Sequence, residues 1–221
     1  MSSGALPVLS PQQLVSCAPN PLKCGGTGGC GGSIAEFAYS YIQQFGMTTE
    51  EVYPYAASTG KCVWNASMGE PRVRIGGYRR LPPNSYTAVM LALARVGPLA
   101  VNVAADDMMD YEGGVFAGCG SSGNVDINHV VQLVGYGTDP HGGDYWLVRN
   151  SWGTSWGESG YIRLRREATP ACGEDRTPLD GTGCAGGESV QTVCGACGIL
   201  FDASHPIDAV VVQGGEASLV V

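Results

Sequence analysis

His129 and Asn150 are the two residues whose types and placement could do chemistry together. His129 opens the run His129-Val-Val-Gln-Leu-Val-Gly-Tyr, and Asn150 closes the run Asp144-Tyr-Trp-Leu-Val-Arg-Asn150, with Thr138-Asp-Pro-His-Gly-Gly143 between them. Two apolar runs around a Gly- and Pro-bearing connection predict a β-hairpin. With its turn near residues 139–140, antiparallel pairing sets His129 across from Asn150. An amide oxygen that accepts from one ring nitrogen fixes the tautomer, and the other nitrogen can then take or give a proton. Taken alone, a His beside an Asn is more often a structural hydrogen bond, and it becomes a catalytic dyad only with a nucleophile. The string that follows, Asn150-Ser-Trp-Gly-Thr-Ser-Trp-Gly-Glu-Ser-Gly-Tyr-Ile-Arg, places Trp152 and Trp156 where they can cover the amide, with glycines for the turns. His141, in the hairpin turn, and His205, before Pro206, read as surface residues.

The elements that must position this pair divide along the chain. Ile34, Phe37, Ala38, Tyr41, Ile42 and Phe45 recur at helical spacing, which predicts a helix over about Ser33–Phe45 with one face in the core. Ser33 and Glu36 form a capping-box pattern at its start, and Gly46 can end it. A second helix is expected over about Ser85–Val96, with Asn84 or Ser85 as cap and Gly97-Pro98 as the stop. From Leu99 onward the pattern becomes strands: Leu99–Ala104, Val130–Tyr136, Tyr145–Asn150 and Tyr161–Arg165. Helices first and strands later read as an α+β fold with segregated halves, with a site expected between them. Residues 168–198 read as a Cys-bearing loop without a period. Residues 207–221 read as either a further strand or an unstructured terminus.

Composition excludes several roles. A formal charge of −8 over 221 residues leaves no basic stripe for phosphates, so nucleic acid is not an expected partner. No run approaches the ~18 apolar residues that a membrane span needs. Nine cysteines suit an oxidising compartment, and Asn65-Ala66-Ser67 is an N-glycosylation acceptor pattern. Met1–Ser10 has no signal-peptide pattern.

Seven motifs in order carry a resemblance to papain-type cysteine peptidases. Leu9-Ser-Pro-Gln-Gln-Leu-Val-Ser-Cys17 resembles "LSEQxLVDC", Gly29-Cys30-Gly31-Gly32 resembles "GCNGG", and Tyr53-Pro-Tyr55 resembles "YPY". Gly97-Pro-Leu-Ala-Val, Tyr111-Glu-Gly-Gly-Val-Phe and Asn128-His-Val-Val-Gln-Leu-Val-Gly-Tyr-Gly resemble "GPVSV", "YxGGIF" and "DHAVxxVGYG", and the Asn150 string completes the set. The resemblance runs from about Leu9 to Pro206. It implies a single papain-like domain over 1–221: a mainly helical lobe over 9–77, truncated; an antiparallel, β-barrel-like lobe over 78–206; the site in the cleft between; and 207–221 as a tail. It implies a cysteine-type endopeptidase with a Cys-His-Asn mechanism, in which His129 is general base and acid, Asn150 orients its ring and Trp152 shields the bond. Substrate-binding positions implied are Gly32, Ser33, Asn128 and Trp152. Ser33 departs from the family, which has glycine there.

The family's nucleophile lies in a "CGSCW" segment upstream of the "LSEQ" motif, and only eight residues precede Leu9 here. The expectation is therefore a chain that, as written, lacks the nucleophile and a core helix, is inactive and folds marginally. The alternative is a non-catalytic homologue that binds peptide or protein. A fragment completed by a separate chain ranks last. The resemblance implies disulfides Cys17–Cys62 and Cys119–Cys197, with Cys30 left without its partner. Cys24, Cys172, Cys184 and Cys194 could form two more bridges in three ways. A zinc site from Cys172, Cys184, Cys194 and Cys197 ranks behind disulfides. No cofactor or metal is implied. Partners implied are a peptide or protein substrate and, for a full-length form, its own propeptide or a cystatin-like inhibitor. Localisation by resemblance and cysteine usage is secreted, lysosomal or vacuolar.

Overall fold

The computed structural model describes residues 6–116, 118–120, 123–213 and 216–219. In chain order its helices are α1 (Pro11–Cys17), α2 (Ala35–Phe45) and α3 (Tyr86–Arg95). Its strands are β1 (Val73–Arg74), β2 (Gly77–Arg80), β3 (Leu99–Val103), β4 (Val115–Phe116), β5 (His129–Asp139), β6 (Gly143–Arg149), β7 (Tyr161–Arg165), β8 (Cys172–Asp175), β9 (Gln191–Cys194), β10 (Ala203–Ile207), β11 (Val210–Gln213) and β12 (Glu216–Leu219). The class is α+β, and the chain divides into two compact units, Met1–Arg79 with Pro206–Val221, and Arg80–His205. Among the described residues no helix is long and apolar enough to cross a membrane.

The first unit holds α1 and α2. Sequence periodicity does not reveal α1, because seven residues are too few, but its start is chemically explicit. The Ser10 hydroxyl accepts from the Gln13 amide at 3.0 Å, and Pro11 occupies the first turn, where its missing N–H costs nothing. Gln12 and Gln13 are buried and fully used. Gln13 donates to Tyr41 Oη and the Gly46 carbonyl, each at 3.1 Å, and accepts from the Thr48 amide. Gln12 donates to the Ser58 carbonyl and accepts from the Ala56 amide.

Helix α2 differs from expectation in two ways. It begins at Ala35 with Ile34 as N-cap and no side-chain cap, and the Ser33 hydroxyl is buried without a partner, so the capping box does not form. Of the six residues expected to face the core, only Tyr41 is buried, and Phe45 is 46% exposed. Gly46 ends the helix with φ 72°. In the tail, β11 and β12 pair as a hairpin and β11 pairs with β1, so the strand reading of 207–221 holds for these segments. Residues 214, 215, 220 and 221 lie outside the described residues.

In the second unit Ser85 caps α3 by accepting from the Ala88 amide. The main sheet runs β2-β10-β3-β5-β6-β7-β4 and is antiparallel from β10 to β7, with β4 parallel to β7. Among the described residues the sheet is open, with β2 and β4 at its edges, and does not close into a barrel. Alternation puts Val131 and Leu133 of β5, Trp146 and Val148 of β6, and Ile162 and Leu164 of β7 in the core. His205 is also buried, at 4% exposure, contrary to its surface reading, because β10 is an inner strand of this sheet. The Cys-bearing loop contains a two-stranded ladder, β8–β9, in which Cys172 faces Cys194 and is bonded to it.

Candidate active site

The hairpin forms, but with a different register. Its last pair is Asp139 with Gly143, so the turn occupies 140–142, and the pairing shifts between Leu133 and Gly135, which leaves Val134 as a bulge. Toward the open end Leu133 faces Val148 and Gln132 faces Arg149. Continued, that register puts Val131 opposite Asn150 and His129 opposite residue 152. His129 therefore meets Asn150 diagonally rather than directly. Both still project on the core-facing side, since His129 is two residues from Val131 and Asn150 two from Val148. His129 Nε2 lies 2.9 Å from Asn150 Oδ1. Trp152, in the bend just beyond β6, stacks on the imidazole with centroids 5.2 Å apart and planes at 23°.

The tautomer follows from the other bond to Asn150. The Ser151 amide, which can only donate, lies 2.7 Å from Oδ1, so that atom is the carbonyl oxygen. An acceptor cannot receive from a bare ring nitrogen, so Nε2 carries the hydrogen. In the neutral ring Nδ1 then has the free lone pair. The Asn150 backbone is fixed by its N–H donating to Gly160 O at 2.9 Å.

The aromatic cover is itself supported. Trp156 packs edge-on against Trp152 at 4.9 Å, and its indole N–H donates to the carbonyls of Met108 and Met109. Tyr111 packs on Trp156 and donates to the Gly114 carbonyl at 2.6 Å. Gly157 has φ 53°, and a Cβ there would fall 2.6 Å from the Tyr161 carbonyl oxygen and 2.9 Å from the Tyr111 ring. Next to it, Glu158 receives Arg163 through both oxygens at 2.6 and 2.7 Å, while Arg163 also reaches Asp139 at 2.7 Å. The Arg163 guanidinium holds the Glu158 carboxyl below its ordinary range. Asp139 is lowered to about 2, first by the amides of Gly142 and His141 and then by Arg163. This charged cluster ties the hairpin turn to the tryptophan loop. Sequence spacing does not disclose it, because its members meet only through the register.

Asn128 precedes the histidine and is engaged within the protein: its oxygen accepts from the Ala105 amide at 3.2 Å and its nitrogen donates to Asp106 at 3.1 Å. His129, Asn150, Trp152 and Asn128 are thus brought together in the second unit. Gly32 and Ser33 belong to the first. Gly32 follows the turn at Gly29–Gly31 with φ 95°, and a Cβ there would meet the Gly25 carbonyl oxygen at 2.2 Å, so only glycine fits. Its own carbonyl accepts from Gly28 and from Asn20. Asn65 is exposed.

Cys17 is bonded to Cys62, Cys119 to Cys197 and Cys172 to Cys194, and Cys24 and Cys184 are also disulfide-bonded. Sulfurs in disulfides cannot form the four-cysteine zinc site. Cys30 is free and exposed.

The sequence pattern of papain family cysteine proteases matches residues 1–182. The chain belongs to that family. It is 36% identical over 210 residues to the thiol protease SEN102 of Hemerocallis sp., covering 94% of this chain and 49% of that protein. It is 42% identical over 166 residues to a cathepsin L-like proteinase of Fasciola hepatica, covering 74% of this chain and 48% of that one. Among solved structures, bromelain from Ananas comosus in complex with the E64 inhibitor superposes with a TM-score of 0.70 at 33% identity, over 93% of this chain and 80% of that one. Digestive procathepsin L 3 of Tenebrio molitor larval midgut gives 0.68 at 34% identity, over 93% and 57%. The chain spans about half the length of the curated relatives it matches.

Proposed function

We propose that this chain carries the histidine and asparagine of a cysteine-type endopeptidase that cleaves peptides or proteins. The supporting observation is the pair of bonds on Asn150 Oδ1, which protonates Nε2 of His129 and leaves Nδ1 as the base. In the proposed reaction Nδ1 takes the proton of a cysteine thiol, and the thiolate adds to the scissile carbonyl. The proton then passes from Nδ1 to the leaving amine as the C–N bond breaks. Water, deprotonated by Nδ1, hydrolyses the thioester and restores the thiol. Asn150 keeps the ring oriented and Trp152 keeps water from their bond. By family resemblance Asn128 and Trp152 are proposed substrate-contacting positions of the second unit, and Gly32 and Ser33 are proposed substrate-contacting positions of the first. The disulfides support a secreted, lysosomal or vacuolar setting.

The nucleophile is the open requirement. No CGSCW pattern occurs in the 221 residues, and eight of the nine cysteines are in disulfides. The 221-residue chain alone is accordingly expected not to hydrolyse a fluorogenic peptide. Joined to the nucleophile-bearing segment of a relative, it should cleave the peptide in a thiol-dependent, E64-sensitive manner, and His129→Ala should lower that rate by at least about 100-fold. Thiol-dependent cleavage by the chain alone, or full activity after His129→Ala, would refute the proposal. The same disulfide inventory favours the second reading, a non-catalytic homologue. Saturable binding of a labelled peptide without turnover, in both forms of the chain, would support it.

A further inference from the structure

Residues 44–74 of the first unit form a groove that the proposed reaction does not use. Its volume is about 430 Å³, inside the range of about 300–1,000 Å³ in which proteins hold small ligands. Two aromatic side chains line it. Phe45, at the end of α2, is 46% exposed, and Trp64 is half-buried. Gln44, Glu70 and Arg74 are exposed along the same groove. Gly69 leaves it open, since a Cβ there would meet nothing within 4 Å. One exposed aromatic is ordinary on a protein surface. Here two of them share a groove with Asn65, the exposed acceptor of the Asn65-Ala66-Ser67 pattern.

We propose that Asn65 carries an N-linked oligosaccharide and that its first N-acetylglucosamine lies in this groove, against Phe45 and Trp64. The inference rests on the secretory setting proposed above, where such sugars are attached. The local bonds suit the attachment. Asn65 Oδ1 accepts from the amide and the hydroxyl of Ser67, which fixes the carboxamide, and Nδ2 donates to the Val63 carbonyl at 3.0 Å. An amide nitrogen has two hydrogens, so the sugar can replace one while the other keeps the Val63 bond. In the attachment step Nδ2 attacks C1 of a polyprenyl-diphosphate-linked oligosaccharide. The N–C1 bond forms as the bond from C1 to the diphosphate oxygen breaks, the diphosphate leaves with the electron pair, and the amide proton passes to a base of the transferring enzyme. Groove and sugar match in chemistry. A pyranose ring presents C–H bonds on one face, and these meet the negative face of an aromatic ring. The acetamido methyl covers apolar area that Phe45 otherwise leaves to water. Gln44, Glu70 and Arg74 supply donors and acceptors for the hydroxyls. Because the sugar is joined to a residue of the groove itself, its effective concentration there is high, and even a weak stack is occupied.

The test reads modification and stability, not peptide cleavage. The 221-residue chain would be produced in a eukaryotic host behind an added secretion signal, and its mass taken before and after an amidase that removes N-linked sugar. An endoglycosidase that leaves only the first N-acetylglucosamine gives the form whose Tm is compared with that of Asn65→Gln, in the parent and in Phe45→Ala. The expected results are a modified Asn65 and a single sugar that raises Tm by about 2–4 °C in the parent. In Phe45→Ala the gain should fall to less than about half, and the four-way comparison removes the cost of losing Phe45 itself. Magnetic resonance spectra of the parent should show through-space contacts between sugar protons and the rings of Phe45 and Trp64. An unmodified Asn65 would overturn the inference, and because the added signal imposes the route, that result counts against the site and leaves the localisation untouched. No gain in the parent, or an equal gain in both backgrounds, would also overturn it, by making the sugar a solvated appendage outside the groove. If Phe45→Ala does not fold, Trp64→Ala takes its place. If the chain alone does not fold, the same comparison is made on the form joined to the nucleophile-bearing segment, since the groove lies within residues 44–74.

Discussion

Gly157→Ala tests whether the tryptophan loop has the tight geometry that the site depends on. Two separable costs follow from the structure. The first is conformational: φ is 53° at Gly157, and an L-residue in the left-handed region costs about 1–2 kcal/mol. The second is steric, because the new Cβ would lie 2.6 Å from the Tyr161 oxygen and 2.9 Å from the Tyr111 ring. Forcing a methyl into such a contact costs about 1–3 kcal/mol. Gly153 is an internal control, with φ 87° and nothing within 4 Å of its would-be Cβ, so Gly153→Ala bears only the first cost. A chain of this size loses about 2–4 °C of Tm per kcal/mol. Gly153→Ala should thus lower Tm by about 2–8 °C, and Gly157→Ala by about 4–20 °C. Thermal unfolding followed by circular dichroism measures both. Because Gly157 adjoins Trp156, which packs on Trp152, the His129 ring resonances should also move in Gly157→Ala and stay in place in Gly153→Ala. Equal shifts in Tm for the two variants, or an unmoved His129 in both, would show that the Tyr111–Gly157 contact does not support the site.

Three further outcomes are expected. Asn150→Ala should remove the single-tautomer state of His129, seen as loss of the Nε2–H signal in imidazole nitrogen spectra, at a stability cost of about 1 kcal/mol. Asp139, lowered to about 2, contributes stability that is present above the ordinary value near 3.9 and is lost as pH falls toward about 2. Asp139→Asn should accordingly flatten the acid limb of a denaturation curve between about pH 4 and pH 2 while leaving the slope above pH 5 unchanged. Cys172 and Cys194, 22 residues apart, close a loop whose cross-link is worth about 3 kcal/mol in the chain-entropy account. Replacing both by Ser should lower the denaturation midpoint accordingly, and an unchanged midpoint would mean that the β8–β9 ladder holds without its bridge.

The parts of the fold legible in the sequence are those where alternation, punctuation and tertiary burial agree. Strands β3, β5, β6 and β7 follow the apolar runs, because each has an inward row and is bounded at one end by Gly, Pro or Asp: Gly97-Pro98 before β3, Asp139-Pro140 at the end of β5, Gly142-Gly143 at the start of β6 and Gly160 before β7. Helix α3 follows its Ser85 cap and Gly97-Pro98 stop. Where the reading missed, a nonlocal term decided. Ser33 and Glu36 have the spacing of a capping box, yet Glu36 is buried at 8% exposure and Ile34 takes the cap position. Strands β8 and β9 have four residues each and no alternation, and a disulfide joins Cys172 to Cys194 across the ladder. Glu158, Arg163 and Asp139 become neighbours only when β5, β6 and β7 align, so no linear spacing announces them.

The hairpin register explains why the pair could be read correctly from an inexact turn. The sequence reading placed the turn too early and had no sign of the bulge at Val134. The combined error moved the partner of His129 by two positions, from Asn150 to residue 152. An even shift keeps every side chain on its face, whereas a shift of one would have sent Asn150 to the opposite side of the sheet. Two residues of stagger are also within diagonal reach for an imidazole and a carboxamide, so the 2.9 Å bond forms regardless. The displaced register has a further consequence that the simple pairing could not supply. With Asn150 diagonal, the chain bends after β6 at residues 151–152, and the Trp152 ring stacks on the imidazole at 5.2 Å. The cover over the His129–Asn150 bond thus depends on the bend that follows β6, not only on the presence of two tryptophans in the sequence.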